Sequence, residues 1–185
     1  MIDDVLRDNT DKMDKTVQFL QQEMTGLRTG KANPALVENI TVDYYGTPTR
    51  LRDIANISTP EPRLIVINPF DPSSLSLIEK AIVAANIGIT PMNDGRLIRV
   101  PIPELSEERR KDMVKMAGRI TEEQRISVRN IRRDSNEQIK ALQKNGDITE
   151  DDRDDALDQI QKSTDAHIKK MDDMLTTKEK DIMEV

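Results

Sequence analysis

Pro101-Ile102-Pro103-Glu104-Leu105-Ser106-Glu107-Glu108 is where the chain changes character. Its prolines are the last two of nine, and all nine (Pro34, Pro48, Pro60, Pro62, Pro69, Pro72, Pro91, Pro101, Pro103) fall within residues 34–103. Its serine begins something else. Ser106 is a good helix N-cap, and Glu107 and Glu108 suit the positive end of a helix dipole. A proline in a helix interior costs about 3 kcal/mol, so long helices can lie only outside 34–103. The expected layout is a helical domain built from both ends of the chain, 1–30 and 105–185, with a mixed domain, 31–104, inserted between them.

Downstream of Ser106, apolar residues recur at helical spacing through Met113, Ala117, Ile120, Val128, Ile131, Ile139 and Leu142, and Asn145-Gly146 is a C-terminal cap pair. About 40 residues at 1.5 Å each make a rod of about 60 Å. Gln124, Ser127 and Ser135 fall at or near inward positions, which predicts thin or close packing there. Thr149 opens a third helix, with Asp152 as a capping-box acid and a seam of Leu157, Ile160, Thr164, Ile168, Met171, Leu175 and Ile182. Asp147-Ile148 leaves room for a tight turn only, so the two helices are expected antiparallel. Upstream, Met13, Val17, Leu20, Met24 and Leu27 step by 4, 3, 4 and 3, a bundle seam that Gly26 and Gly30 weaken and end. Met13, Met24, Met113, Met116, Met171 and Met174 read as flexible core filler.

The middle segment predicts strands at Val37–Tyr45 and Arg50–Ile57 around Gly46-Thr47-Pro48, and an apolar run at Leu64–Asn68. A helix is expected at Ser73–Ala85 with Leu75, Ile78, Ile82 and Val83 on one face. A turn at Asn93-Asp94-Gly95 precedes a strand at Leu97–Ile102. The fold class is therefore α+β: an elongated antiparallel three-helix bundle with a small inserted β/α/β domain. The chain crosses between domains near 29–33 and 101–105. Gly30 makes the first crossing permissive, and Pro101 and Pro103 forbid helix through the second, so either a hinge or a rigid elbow is expected there.

The 185 residues include no Cys and no Trp, and four aromatics: Phe19, Tyr44, Tyr45 and Phe70. Without Cys there are no disulfides, thiolate metal sites or cysteine nucleophiles, and one His (His167) argues against a zinc site or a Ser/His/Asp triad. His167 lies near the third seam and reads as a satisfied, partly buried imidazole. No GxxxxGK[ST], GxGxxG or GxSxG occurs, and no pair of carboxylates stands out, so a hydrolase using scattered acids is the weak reading. No cofactor and no metal are expected. No run reaches the ~18–20 apolar residues of a membrane span, and the acidic start Met1-Ile2-Asp3-Asp4 is unlike a secretory signal. A cytoplasmic protein is expected.

The net charge of −6 argues, as a total, against a nucleic-acid partner. By segment it argues otherwise. Residues 105–145 carry 11 basic and 7 acidic groups, net +4, whereas 146–185 carry 6 and 13, net −7. At 100° per residue, Lys111, Lys115, Arg125, Arg129, Arg132, Arg133 and Lys140 share a sector of about 100°. The grouping is mainly Arg at its centre, and Arg offers phosphate a planar fork. The competing reading is a solvated face paired with acids of the third helix such as Asp154, Asp155 and Asp158. With few aromatics to stack bases, RNA would be read by shape and charge rather than by sequence.

Several motifs occur together and in order: Leu27-Arg28-Thr29-Gly30-Lys31-Ala32-Asn33-Pro34, Tyr44-Tyr45-Gly46-Thr47-Pro48, Ile78-Glu79-Lys80-Ala81-Ile82, Ser106-Glu107-Glu108-Arg109-Arg110-Lys111 and Val128-Arg129-Asn130-Ile131-Arg132-Arg133-Asp134. With Ile148-Thr149-Glu150-Asp151-Asp152 and Lys178-Glu179-Lys180, they make the whole chain resemble ribosome recycling factor. That resemblance implies an L-shaped, roughly tRNA-like protein. It implies a translation factor that is not an enzyme and that splits post-termination ribosomes with elongation factor G and GTP. Its implied partners are the 70S/50S ribosome, through large-subunit rRNA, and elongation factor G; a monomer is implied, with no DNA and no membrane. By motif, the rRNA-binding arginines map onto Arg28, Arg110, Arg129 and Arg132, with Arg133 and Arg125 as neighbours. The hinge maps onto Thr29, Gly30, Lys31, Pro103, Glu104 and Leu105. Departures are Lys31, where Arg is more usual, Ser106 for Thr, and Arg50 where Pro is expected. The alternative is a helical-bundle protein–protein adaptor that binds no RNA.

Overall fold

The computed structural model describes residues 1–184. The chain divides into two compact units: Met1–Leu27 together with the chain from Arg110 onward, and Arg28–Arg109.

The first unit is a bundle of three long helices, α1 (Ile2–Gly26), α4 (Glu107–Lys144) and α5 (Glu150–Met183). Their ends follow from capping chemistry. Ser106 Oγ accepts from the Arg109 N–H at 3.2 Å. Thr149 and Asp152 form a reciprocal capping box. Between them, the Gly146 N–H reaches the Gln143 carbonyl at 3.0 Å and the Asp147 N–H reaches that of Leu142 at 2.9 Å. Arg125 meets Asp172, Arg132 meets Gln161 and Gln143 meets Arg153, so α4 and α5 run in opposite directions.

The bundle core has two apolar clusters. Met13, Leu20, Met24, Ala117, Val128, Met171 and Ile182 form one, and Ile139, Ala156 and Ile160 form the other. The level between them is polar. Asn9, Ser135, Thr164 and His167 are all buried there. Thr164 Oγ1 donates back to the Ile160 carbonyl at 2.8 Å, which satisfies it locally. His167 is 5% exposed, with Nε2 2.7 Å from Asp14 Oδ1 and Nδ1 2.6 Å from the Ser163 carbonyl, so the imidazole ties α5 to α1. Ser135 is buried, as thin packing required, while Met116 is 37% exposed and is not core.

The second unit is built on antiparallel strands. β1 (Thr41–Tyr44) and β2 (Thr47–Arg50) form a hairpin, and β3 (Ala55–Glu61), β4 (Leu64–Pro69), β5 (Met92–Asn93) and β6 (Ile98–Pro101) form a sheet of order β3-β4-β6-β5. The helix α3 (Leu75–Ala85) buries Leu75, Ile78 and Ile82 in the same core as Ile65, Ile67, Ile98 and Val100. β4 and β6 contribute alternate residues, as period-2 geometry demands. Val83 is 61% exposed. It is rotated about 80–100° from the Leu75–Ile82 axis, off the buried stripe.

Two predicted strands are corrected. Pro34–Leu36 is a single 3-10 turn and pairing begins only at Thr41, because Pro34 presets a tight turn and Asn33 caps it. The run from Arg50 to Ile57 is broken by one helical turn, α2 (Leu51–Ile54). Leu51 and Ile54, three apart, are both buried there, which a straight strand would not allow. The hairpin turn places Tyr45 at φ 50° and Gly46 at φ 86°, a conformation that glycine adopts without strain and tyrosine does not. Hydrogen bonds from the Tyr45 hydroxyl region to Asp71 Oδ2 (3.0 Å) and Ser73 Oγ (2.5 Å) hold it. No helix among the described residues is long and apolar enough to cross a membrane.

Candidate nucleic-acid interface

The sequence-derived arginines Arg110, Arg125, Arg129, Arg132 and Arg133 all belong to α4, so their spacing follows the helical repeat. Their electrostatic states differ. Arg125 is clamped. Its Nε and Nη2 donate to Asp172 Oδ1 at 2.8 and 2.5 Å, and Nη1 donates to Glu122 Oε2 at 3.0 Å. Its side chain is only 20% exposed. Burial alone would lower the guanidinium pKa, but the hydrogen bonds it donates to Asp172 and Glu122 more than offset that and raise it. The same contacts, Arg125 first and Arg129 after it, hold the Glu122 carboxyl below the usual range.

Arg129 is held loosely. Its Nη1 lies 3.2 Å from Glu122 Oε1, with both side chains substantially exposed. Such a pair contributes at most about 1 kcal/mol and can open to a better anion. Arg132 meets only the neutral Gln161 amide at 3.4 Å, and Arg133 only the Asn130 amide oxygen at 2.9 Å. Neither has a carboxylate partner among the described residues. Arg110 is partly buried, and its Nε has no hydrogen-bond partner among them. The face therefore holds one neutralised arginine, one weakly paired and three unneutralised, which is chemistry suited to a row of phosphates.

Two residues that the sequence reading left out set this pattern. Glu122 lies three residues before Arg125, a spacing that brings side chains together on a helix and was available as a signal. Asp172 comes from α5, and nothing in the sequence alone sets which acid of that helix reaches Arg125.

Arg28 lies in the other unit. Its Nη2 donates to the Ile87 carbonyl, and its Nη1 would stand 3.3 Å from a Cβ placed on Gly88. The structure thus does not gather Arg28 with the α4 arginines in one unit. Within its own unit Arg28 lines, with Gly30, Lys31, Pro103 and Leu105, one small, mainly apolar cavity.

The sequence profile described as ribosome recycling factor matches residues 20–183. The chain belongs to the ribosome recycling factor family. It is 52% identical over 185 residues to a ribosome-recycling factor of Syntrophomonas wolfei subsp. wolfei, covering 100% of each chain. It is 49% identical to one from Geobacillus sp., again covering 100% of each. Among solved structures it is similar to a solution structure of the ribosome recycling factor, with TM-score 0.81 and 39% identity, covering 100% of this chain and 98% of that one. A second similar structure is described as models for the T. thermophilus ribosome recycling factor and the E. coli elongation factor G bound to the E. coli post-termination complex. Its TM-score is 0.68 at 38% identity, with 99% of each chain covered. The family resemblance carried by the motifs is borne out.

In this member of the ribosome recycling factor family, Gly30 and Leu105, both inside the Arg28–Arg109 unit, lie side by side. Gly30 has φ 77°, and a Cβ built on it would sit 3.4 Å from Leu105 Cγ and 3.6 Å from the Leu105 nitrogen. A side chain there would meet both the strained backbone and Leu105. Thr29 and Glu104 flank this contact in sequence, and Glu104 Oε1 lies 3.1 Å from Arg63 Nη1.

Proposed function

We propose that this protein disassembles post-termination ribosomes into subunits together with elongation factor G and GTP, as a binding factor with no catalytic residues of its own. The observation that carries the reading is full-length similarity to ribosome recycling factors, one of them described with elongation factor G on a post-termination complex. The α4 face supports a mode of docking. Arg110, Arg129, Arg132 and Arg133 contact phosphates of large-subunit rRNA, while Arg125 holds α4 to α5 and keeps the face in register. Arg28 approaches RNA from the other unit.

The crossings act as a hinge in this reading, with Thr29, Gly30 and Lys31 on one strand and Pro103, Glu104 and Leu105 on the other. The α/β unit receives the translocase, and the bundle transmits the resulting movement because long helices are stiff. The chain contains no Walker-type nucleotide motif, so the energy is supplied by the partner's GTP.

The direct test is subunit splitting. Light scattering of post-termination ribosomes should fall when the protein, elongation factor G and GTP are all present, and not when any one is omitted. Splitting that proceeds equally without this protein would overturn the reading. The adaptor alternative draws on the Arg125–Asp172 and Arg129–Glu122 pairs, which neutralise part of the face internally. Salt separates the two: four phosphate contacts give a slope of about −3 to −3.5 for log affinity against log salt, whereas apolar docking gives nearly none.

A further inference from the structure

A lysine interrupts the buried stripe of α5. Ile160, Thr164, His167, Met171 and Ile182 are buried along that stripe. Lys178 lies seven residues after Met171 and four before Ile182, so the helical repeat puts it on the same side. Met171 and Ile182 share an apolar cluster with Met24 of α1. Lys178 is only partly exposed, whereas Lys169, Lys170 and Lys180 of the same helix are exposed. Its charge is also treated differently from that of other lysines. Asp8 holds Lys12 at 2.6 Å and Asp158 holds Lys162 at 2.7 Å, and both contacts raise the amine pKa. Lys178 has no carboxylate at ion-pair distance among the described residues. Burial pushes its amine below the usual lysine range, against a weaker opposing pull from Asp181.

We propose that Lys178 is a modification site, whose amine takes the acyl group of a small acyl phosphate. The inference is independent of RNA docking. Acylation needs the unprotonated amine, and around neutral pH an ordinary lysine keeps only about one amine in a thousand in that form. A seam position with no paired carboxylate enlarges that fraction, while partial exposure leaves the nitrogen open to a small donor. In the reaction the Nζ lone pair attacks the carbonyl carbon and a C–N bond forms. The bond from that carbon to the phosphate oxygen breaks, and phosphate leaves with the bonding pair. The proton lost by nitrogen passes to the phosphate or to water. The product is a neutral amide, so the stripe loses its one positive charge between Met171 and Ile182.

The test incubates the full-length folded protein with acetyl phosphate at neutral pH and follows each lysine by peptide mass spectrometry. Lys178 should be acetylated at least about threefold faster than Lys169, Lys170 and Lys180, because its free-amine fraction is larger. The excess should vanish when the same reaction is run on protein unfolded in urea, since the fold creates it. Asp181→Asn removes the one charge that favours the ammonium and should make Lys178 faster still. Lys178→Arg should abolish the fastest acetylation while leaving the rates at the other lysines unchanged. If Lys178 in the folded protein reacts no faster than its exposed neighbours, it is a packing residue and the proposal is wrong. An excess that persists in urea would trace to the local sequence and overturn the proposal equally, as would an Asp181→Asn protein in which Lys178 slows.

Discussion

Replacing Arg125 and Arg132 separately with alanine asks what the α4 face is for. Arg125 is 20% exposed and bridges to Asp172 and Glu122, whose side chains are 49% and 50% exposed. A fully exposed pair would contribute about 0–1 kcal/mol. A charge-assisted bond in a drier setting contributes about 1.5–3 kcal/mol. The half-buried geometry lies between these, and the loss of the arginine stem from the α4–α5 contact adds to it. Arg125→Ala should therefore cost about 1.5 kcal/mol. Unfolding entropy near 2.1 cal/mol/K per residue then converts this to a melting shift of about 4 °C if the whole chain melts as one, or about 7 °C if the roughly 100-residue bundle melts alone.

Arg132 touches only an amide at 3.4 Å, so Arg132→Ala should stay within about 0.5 kcal/mol of the parent and shift melting by about 1 °C. Its effect should appear in binding. Losing one phosphate contact makes the salt slope shallower by about 0.7–0.9, so a fourfold rise in salt weakens the variant about threefold less than it weakens the parent. Calorimetry and a salt series on large ribosomal subunits read both quantities. If Arg132→Ala lowers the melting temperature as much as Arg125→Ala does, the face is structural and the phosphate reading fails. If Arg125→Ala melts like the parent, the clamp contributes nothing and the division of roles among these arginines is wrong.

Thr149→Ala removes the Oγ1 acceptor for the Asp152 N–H while leaving the Thr149 N–H to Asp152 contact, and should cost about 1 kcal/mol, visible as a melting shift of about 2–4 °C. Ile67 is fully buried between β3 and β6, so Ile67→Ala should cost about 2–5 kcal/mol by denaturant titration, enough to unfold the α/β unit first. Gly30→Ala should restrict the crossing, because φ 77° is strained for alanine and Leu105 stands at 3.4 Å; fluorophores on the two units should report an altered distance distribution, and an unchanged one would remove Gly30 from the hinge. Acid should destabilise the protein through Glu122, Asp152 and Asp71, all depressed in the folded state, by Arg125, Thr149 and Ser73 respectively. The unfolded chain takes up these protons first, so the stabilisation is present above the ordinary carboxylate range and disappears as pH falls through the depressed values; melting temperature against pH below about 4 should fall, and Glu122→Gln should remove part of the slope.

How far the sequence carried depends on how local the cause was. Ser106, Thr149 with Asp152, and Asn145-Gly146 mark helix ends by contacts within four residues, and the helices begin and end there. The strands in 37–57 were less legible, because their pairing partners lie elsewhere. Leu51 and Ile54 sit in a run without Gly or Pro that reads as strand, and the Leu51 N–H reaching the Ile40 carbonyl at 2.9 Å and the Arg52 N–H reaching that of Glu38 at 3.1 Å show the chain turning back at that point. Asn9, buried in the bundle with its Oδ1 unpartnered, has no sequence signal that distinguishes it from a surface asparagine. The basic sector was legible because direction around a helix is periodic. Whether each arginine on it is free was not, because that depends on which acid of α5 approaches it.

That distinction decides what the net charge of −6 means. Beyond the Debye length, about 8 Å at physiological salt, the repulsion between an acidic protein and RNA is largely screened, so at contact the facing groups matter most. α5 carries the acidic excess and lies along α4. It could have neutralised the whole basic face. Instead, among the described residues, its ion pair to that face is Asp172 to Arg125, whose side chain is 20% exposed, while at Arg132 it presents the neutral Gln161. The acids of α5 thus hold the two helices together where the contact is dry and leave the outer arginines to other anions. A consequence can be measured. Gln161→Glu would give Arg132 a carboxylate one side chain away without changing the helix period. It should bind large subunits more weakly than the parent, with a shallower salt slope, while melting at the same temperature or slightly higher. Unchanged binding would mean that Arg132 does not meet phosphate.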